Sequence, residues 1–193
     1  MTIYCSPNLY LCLAHYPVVN KRGEIIASAV TNLDIHDMAR AARTYGARAL
    51  YIVTPLEDQQ SLVKTLVSHW TTGSGSVYNP KRCQALEMVC IQDTLEKARE
   101  DIALRGEGVP RTVVTSARDH SGGICISRFR ELLETGNPYL LVFGTAWGLS
   151  QDCMEAADHI LEPIRGNTEY NHLSVRSATS IILDRLLGRP SLE

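Results

Sequence analysis

No stretch of this sequence approaches the roughly 18 apolar residues that a membrane-spanning helix needs. Its first residues, Met1-Thr2-Ile3-Tyr4-Cys5-Ser6-Pro7, have no basic segment leading into an apolar one, and a cytoplasmic location is the expectation. A dinucleotide-binding loop is also missing, because Gly73-x-Gly75 has no third glycine and follows no strand. No Gly-Lys-Ser/Thr occurs, which removes a phosphate-cradling Walker loop. The six histidines are scattered without a His-x-x-x-His pair, so no metal ligands are assigned. Cysteines 5, 12, 83, 90, 125 and 153 form no Cys-x-x-Cys pair and four lie in apolar runs. Reduced, mostly buried thiols are expected rather than disulfides or a zinc site.

An excess of positive charge is absent as well. The formal net charge is -2, so any contact with nucleic-acid phosphates has to be local rather than spread over the surface. Fifteen of the 19 basic residues are arginine, the side chain suited to bidentate phosphate contacts, although a biased genome produces the same skew. What is there is ordinary for a folded chain: 193 residues, 45% hydrophobic and 21% charged, enough for one well-buried domain spanning 1–193. There is no internal repeat.

Apolar runs at Leu9 to Ala14 and Ala49 to Val53 have the length of buried strands. Between them Ile35, Met38, Ala39 and Ala42 recur at helical spacing from Asp34 to Tyr45, and Gly46 is placed to end that helix. Strand, helix, strand is the unit, and it repeats: a helix from Leu56 to Trp70, a strand at Met88 to Ile91, a helix from Thr94 to Leu104, a strand at Thr112 to Thr115. A short helix from Ser127 to Leu133, the strand Tyr139 to Phe143, a short helix from Ser150, the strand His159 to Leu161 and a helix from Ser174 to Leu187 complete the series. Ser74 to Arg82 reads as a mobile surface loop. The alternation predicts an α/β fold with a parallel sheet covered by helices on both faces.

Open parallel sheets bind ligands at the carboxyl ends of their strands. Three small, polar or glycine-rich loops follow the last strands: Thr115-Ser116-Ala117-Arg118, Gly144-Thr145-Ala146-Trp147-Gly148-Leu149-Ser150, and Glu162-Pro163-Ile164-Arg165-Gly166. After the third, His172-Leu173-Ser174-Val175-Arg176-Ser177-Ala178 leads into an apolar helix, where Ser174 either faces a ligand or simply caps the helix.

These segments resemble motifs 2 and 3 of the SPOUT superfamily of RNA methyltransferases, which in the SpoU/TrmH branch read Gly-Asn-Glu-x-Gly-Leu-Ser, Ile-Pro-Met-x-Gly and Ser-Leu-Asn-Val-Ser-Val-Ala. Asn32 to Ala47 is similar to motif 1, Asn-Pro-x-Asn-x-Gly-x-x-x-Arg-x-Ala, with Asn32 one residue out of step. The three fall in order across about 150 residues, and the whole most resembles a small branch found alone or fused behind the tRNA guanine methyltransferase TrmD.

The resemblance implies a C-terminal trefoil knot, a homodimer with its active site at the subunit interface, and S-adenosylmethionine as cofactor. It implies that Thr115, Ser116, Phe143, Gly144, Gly148, Ile164, Leu173 and Ala178 hold that cofactor. The substrate would be an RNA, with tRNA favoured, and a functional link to a TrmD-type enzyme is implied. Arg40 matches the motif-1 arginine and is the first candidate for contact with the reacting group, against the alternative of a solvated helix arginine. Asn32 and Asp37 crowd the start of the same helix, and Asp37 is a candidate base for a guanine nitrogen. Arg43 and Arg118 are candidate RNA contacts. Two departures, Ala146 for the motif-2 glutamate and Ser174 for the motif-3 asparagine, argue against 2′-hydroxyl transfer by the SpoU route. They also leave open a catalytically inactive SPOUT dimer that docks RNA or another enzyme.

Overall fold

The computed structural model describes residues 7–189. Strand β1 (Leu9–Ala14) is followed by a small antiparallel hairpin, β2 (Val18–Val19) and β3 (Ile25–Ile26). Then come α1 (Asn32–Tyr45), β4 (Leu50–Val53), α2 (Glu57–Thr71), α3 (Ser74–Tyr78), α4 (Pro80–Leu86), β5 (Val89–Gln92) and α5 (Leu95–Ile102). A wide π turn (Ala103–Glu107) leads to β6 (Arg111–Thr115), α6 (Ile126–Glu134), β7 (Tyr139–Gly144), α7 (Gln151–Glu155), β8 (His159–Leu161) and α8 (Val175–Leu187).

Six strands form one parallel sheet in the order β5-β4-β1-β7-β6-β8. β1 lies at its centre, with Leu11 between Leu50 on one side and Leu141 on the other. Because both faces are covered, the strands read as unbroken apolar runs instead of alternating. Leu9, Leu11 and Leu13 point to the face packed by α1, α2, α4, α6 and α8, while Tyr10, Cys12 and Ala14 point to the face packed by α5 and α7. The predicted helix ending at Gly46 is present, and that glycine closes it in the left-handed region at φ 76°.

Two expectations need correction, and one element is additional. Ser74 to Arg82 is not an irregular loop but α3 and the start of α4, because the Asn79 side chain accepts from the Arg82 amide and Pro80 occupies the first helical position. The β2–β3 hairpin was not foreseen. Its turn is built by Asn20, whose Oδ1 accepts from the Arg22 and Glu24 amides at 2.8 and 3.1 Å, and by Gly23 at φ 82°. The cysteines are not mostly buried: Cys12 is, but Cys83, Cys90 and Cys153 are half-buried and Cys125 is exposed, all five free. β5 is an edge strand, which leaves Cys90 partly uncovered. Cys5 lies outside the described residues.

Candidate active site

In the sheet order, the connection leaving β1 runs to β4 and on to β5, whereas the one leaving β7 runs the other way, past β6 to β8, so the direction reverses between β1 and β7. Such a reversal parts the connecting loops and opens a crevice at the carboxyl ends. A cleft of about 800 Å³ lies at this point, in the size range of small-molecule sites.

Its central loop, residues 144–149, is held tightly. A Cβ on Gly144 would meet Leu149 Cγ and N at 2.9 Å, so only glycine fits there. Gly148 takes φ 109° and Ala146 takes φ 52°, the latter a left-handed geometry that a non-glycine residue adopts at some cost. The hairpin grips this loop: Val19 N–H donates to Gly148 O at 2.9 Å and Trp147 N–H donates to Val19 O at 3.1 Å. Thr145 is tied to β1 through its amide and hydroxyl, both donating to Ala14 O at 3.2 and 3.1 Å.

The loop after β6 is shaped by Ser116, whose Oγ accepts from the Arg118 amide at 3.0 Å and lies 2.9 Å from His120 Nε2. Asn171 Nδ2 donates to Ala117 O at 3.0 Å and draws the segment after β8 against this loop. At the start of α8, Ser174 Oγ accepts from the Ser177 amide, so the capping role is present, and the residue lines the cleft as well.

All eight residues that the resemblance implies for the cofactor line this one cleft, as does Arg118. Asn32, Asp37, Arg40 and Arg43 do not. Helix geometry is the reason: α1 turns Asp34 into the cleft, while Asn32, Arg40 and Arg43 are exposed. Arg176 Nη1 meets Asp34 at 2.9 Å and its Nε meets Asp37 at 3.6 Å, and Arg40 lies 3.9 Å from Asp37. A chain of alternating charges therefore runs from the cleft out along α1.

Sequence reasoning missed two groups in the wall, His15 and Asp34. His15, just past β1, is 1% exposed, its Nδ1 2.9 Å from Ser28 Oγ, which in turn lies 2.6 Å from Thr145 Oγ1. Burial pushes the His15 pKa down to about 4, with Asp34 and the Ala29 backbone pulling the other way, so the ring is neutral near pH 7. Its Nε2 is buried without a partner. Only its place directly after an apolar run hinted at it. Asp34 and Arg176 meet across 142 residues, a pairing no local pattern could announce.

The wall combines apolar Phe143, Leu149, Ile164 and Leu173 with loop backbone and the carboxylates of Asp34 and Glu162. An apolar slot beside polar backbone suits an adenine, and nearby carboxylates suit a ligand carrying positive charge. Solved structures share this fold. A probable methyltransferase from Bordetella pertussis Tohama I superimposes with TM-score 0.60 at 20% identity, covering 93% of this chain and 94% of its own. The A. aeolicus TrmH/SpoU tRNA modifying enzyme superimposes with TM-score 0.54 at 20% identity, covering 97% and 82%. This is the α/β fold of the SpoU-type methyltransferases.

Residues 8–188 match the family described as SAM-dependent RNA methyltransferase, and the chain belongs to that family, whose cofactor is S-adenosylmethionine. A curated tRNA (guanine-N(1)-)-methyltransferase of Nitratidesulfovibrio vulgaris is 50% identical over 181 residues, 94% of this chain and 42% of the relative. The chain thus spans under half the length of that relative. An uncharacterized protein of Aquifex aeolicus is 38% identical over 188 residues, 97% of this chain and 92% of that one.

Proposed function

We propose that the chain is one methyltransferase domain that transfers a methyl group from S-adenosylmethionine to a guanine nitrogen of tRNA. The observation carrying this reading is the convergence of the eight cofactor candidates, drawn from three loops and the α8 entry, on one cleft at the sheet's switch point. The guanine target is supported by the name of the Nitratidesulfovibrio relative and by alanine at position 146. An inactive scaffold would have no need of a Gly144 turn into which no side chain fits.

When bound, the cofactor supplies an electrophilic methyl carbon on a sulfonium. The protein's own work is positioning and proton removal. Gly144, Gly148 and Ile164 shape the cofactor wall. Asp34, in the cleft where Asp37 is not, would take the proton from the guanine nitrogen as the new nitrogen–carbon bond forms and the carbon–sulfur bond breaks, its electron pair leaving with the neutral thioether. Arg176 holds that carboxylate in place at 2.9 Å. Asp37 serves on the outer side of Arg176, and Arg40, Arg43, Asn32 and Arg118 meet the RNA backbone around the mouth.

A homodimer is supported by apolar side chains left open near the cleft, with Leu33 60%, Tyr170 75% and Leu173 44% exposed. A trefoil knot is supported by the path after β8, which is fastened to the loop after β6 through Asn171 before α8 packs under the sheet. The tRNA substrate argues for the cytoplasm, and the 42% span of the curated relative argues for a partnership with a TrmD-type unit.

Calorimetric titration with S-adenosylmethionine, followed by methyl incorporation into unfractionated tRNA, tests the reading. Asp34→Asn should leave cofactor affinity within a few fold and cut incorporation by about 100-fold or more. Full incorporation by that variant would remove Asp34 as the base, and no cofactor binding by the folded wild-type protein would favour the scaffold.

A further inference from the structure

On the opposite flank of α1 from Asp34, α2 and α3 build a second hollow that the methyl-transfer reading does not use. It holds about 550 Å³ and is lined by His69, Trp70, Ser74, Gly75, Val77 and Tyr78. Trp70 is its pillar. The Arg82 guanidinium lies over its ring at 4.4 Å, and His36 and His69 meet it edge-on at 5.6 and 5.1 Å between centroids. Gly75 allows this closeness, since a Cβ there would strike Trp70 Cε3 at 2.7 Å. Around the pillar the surface is open: Tyr78 is 86% exposed and Val77 84%.

The charge around the hollow is positive in a chain whose net charge is -2. Lys81 and Arg82 open α4, and Arg40 lies one helical turn beyond His36 on α1. Arg82 and His36 meet the same Trp70 ring, and Arg40 pairs with Asp37 at 3.9 Å on the neighbouring turn of α1. From this cluster the charged row Arg40, Asp37, Arg176, Asp34 leads back to the methyl-transfer cleft.

We propose that the hollow between α2 and α3 is a stacking platform for an unpaired base of the RNA substrate, with Tyr78 and His69 offering rings and Lys81, Arg82 and Arg40 meeting the adjoining phosphates. Exposed rings interleaved with basic side chains are the arrangement that holds single-stranded nucleic acid, because any base can stack and the backbone is attracted. An unpaired strand fits better than a protein partner, since a protein surface would have to match this concentration of cations with carboxylates. The proposal rests on the RNA-methyltransferase reading and adds where the RNA is gripped beyond the reacting base.

Fluorescence anisotropy with a short, labelled, mixed-sequence single-stranded RNA tests it, alongside calorimetry with S-adenosylmethionine and sizing of the protein in solution. Tyr78→Ala should weaken RNA binding by about ten-fold, within the range one stacked base contributes, and Tyr78→Phe should retain it. Cofactor affinity and oligomeric state should not move in either variant. Unchanged RNA affinity in Tyr78→Ala beside normal wild-type binding overturns the platform and leaves the proposed function standing. A change of oligomeric state in Tyr78→Ala also overturns it, by making the hollow a protein interface. A wild-type protein that binds neither RNA nor cofactor overturns both.

Discussion

The carboxyl edge of the sheet is finished in two different ways. Beyond β4 and β5 it is sealed by the protein itself: Gln60 Nε2 donates to Thr54 O at 2.9 Å and to Asp93 Oδ1 at 2.8 Å, and Asp93 also pairs with Lys97. Thr54 is wholly buried as a result. Beyond β1, β6 and β7 the loops instead bond to one another and to the hairpin, leaving an open cleft. A buried polar group needs a partner. On the sealed side that partner is a side chain three to six residues along or on the next strand's loop; on the open side His15 Nε2 has none. One sheet therefore divides into a half that completes itself and a half shaped for something else to complete.

The sharpest way to break this contrast is to fill the open half. In Gly144→Val the Cβ already overlaps Leu149, and two further methyls have nowhere to go. Calorimetry should find S-adenosylmethionine affinity reduced by more than about 1000-fold, roughly 4 kcal/mol, while circular dichroism keeps its helical signal. Normal affinity in that variant would put the cofactor elsewhere.

Acid should weaken the open half through His15. Its folded pKa of about 4 lies below the roughly 6.5 of an unfolded histidine, so the unfolded chain takes up the proton first as pH falls. Its contribution is complete above about pH 6.5 and declines down to about pH 4, by about 3 kcal/mol in total. Urea unfolding across that window should show a shallower pH slope for His15→Gln than for the wild type. Identical slopes would mean that the ring is not held neutral.

The smallest change belongs to the sealed half. Gln60→Ala removes two hydrogen bonds and should cost about 1–2 kcal/mol of unfolding free energy, with cofactor affinity unchanged within about two-fold. A drop in affinity comparable to the Gly144→Val effect would erase the distinction between the halves.

The two halves also differ in how far they can be read in advance. Strands β1, β4 and β7 are apolar runs that both faces of the sheet require, and the glycines of the open loops mark themselves by spacing. The eight cofactor candidates come from the resemblance to the family motifs, and all of them line the one cleft. What stayed hidden depends on distance along the chain. Asp37 is the candidate read from α1, whereas Asp34 is the carboxylate of that helix that lines the cleft, because only the fold decides which residues of α1 face it. The hairpin strands are two residues each, too short to carry a period. Ser74 to Tyr78 is rich in the small residues of loops and becomes helical by packing against Trp70, a tertiary effect that overrides local preference.

The central position of β1 has a consequence for how the molecule is made. Leu9 pairs with Tyr139, so 139 minus 9, or 130 residues, separate the strand from its second neighbour. At about 5–20 residues per second a ribosome takes roughly 7–26 s to cover that distance. From the time β4 is made until Tyr139 follows, β1 has β4 on one side and an unpaired apolar edge on the other, the feature that recruits wrong partners. The nascent chain therefore carries its greatest aggregation hazard before its cleft exists, and anything that slows translation ahead of Tyr139 prolongs the exposure.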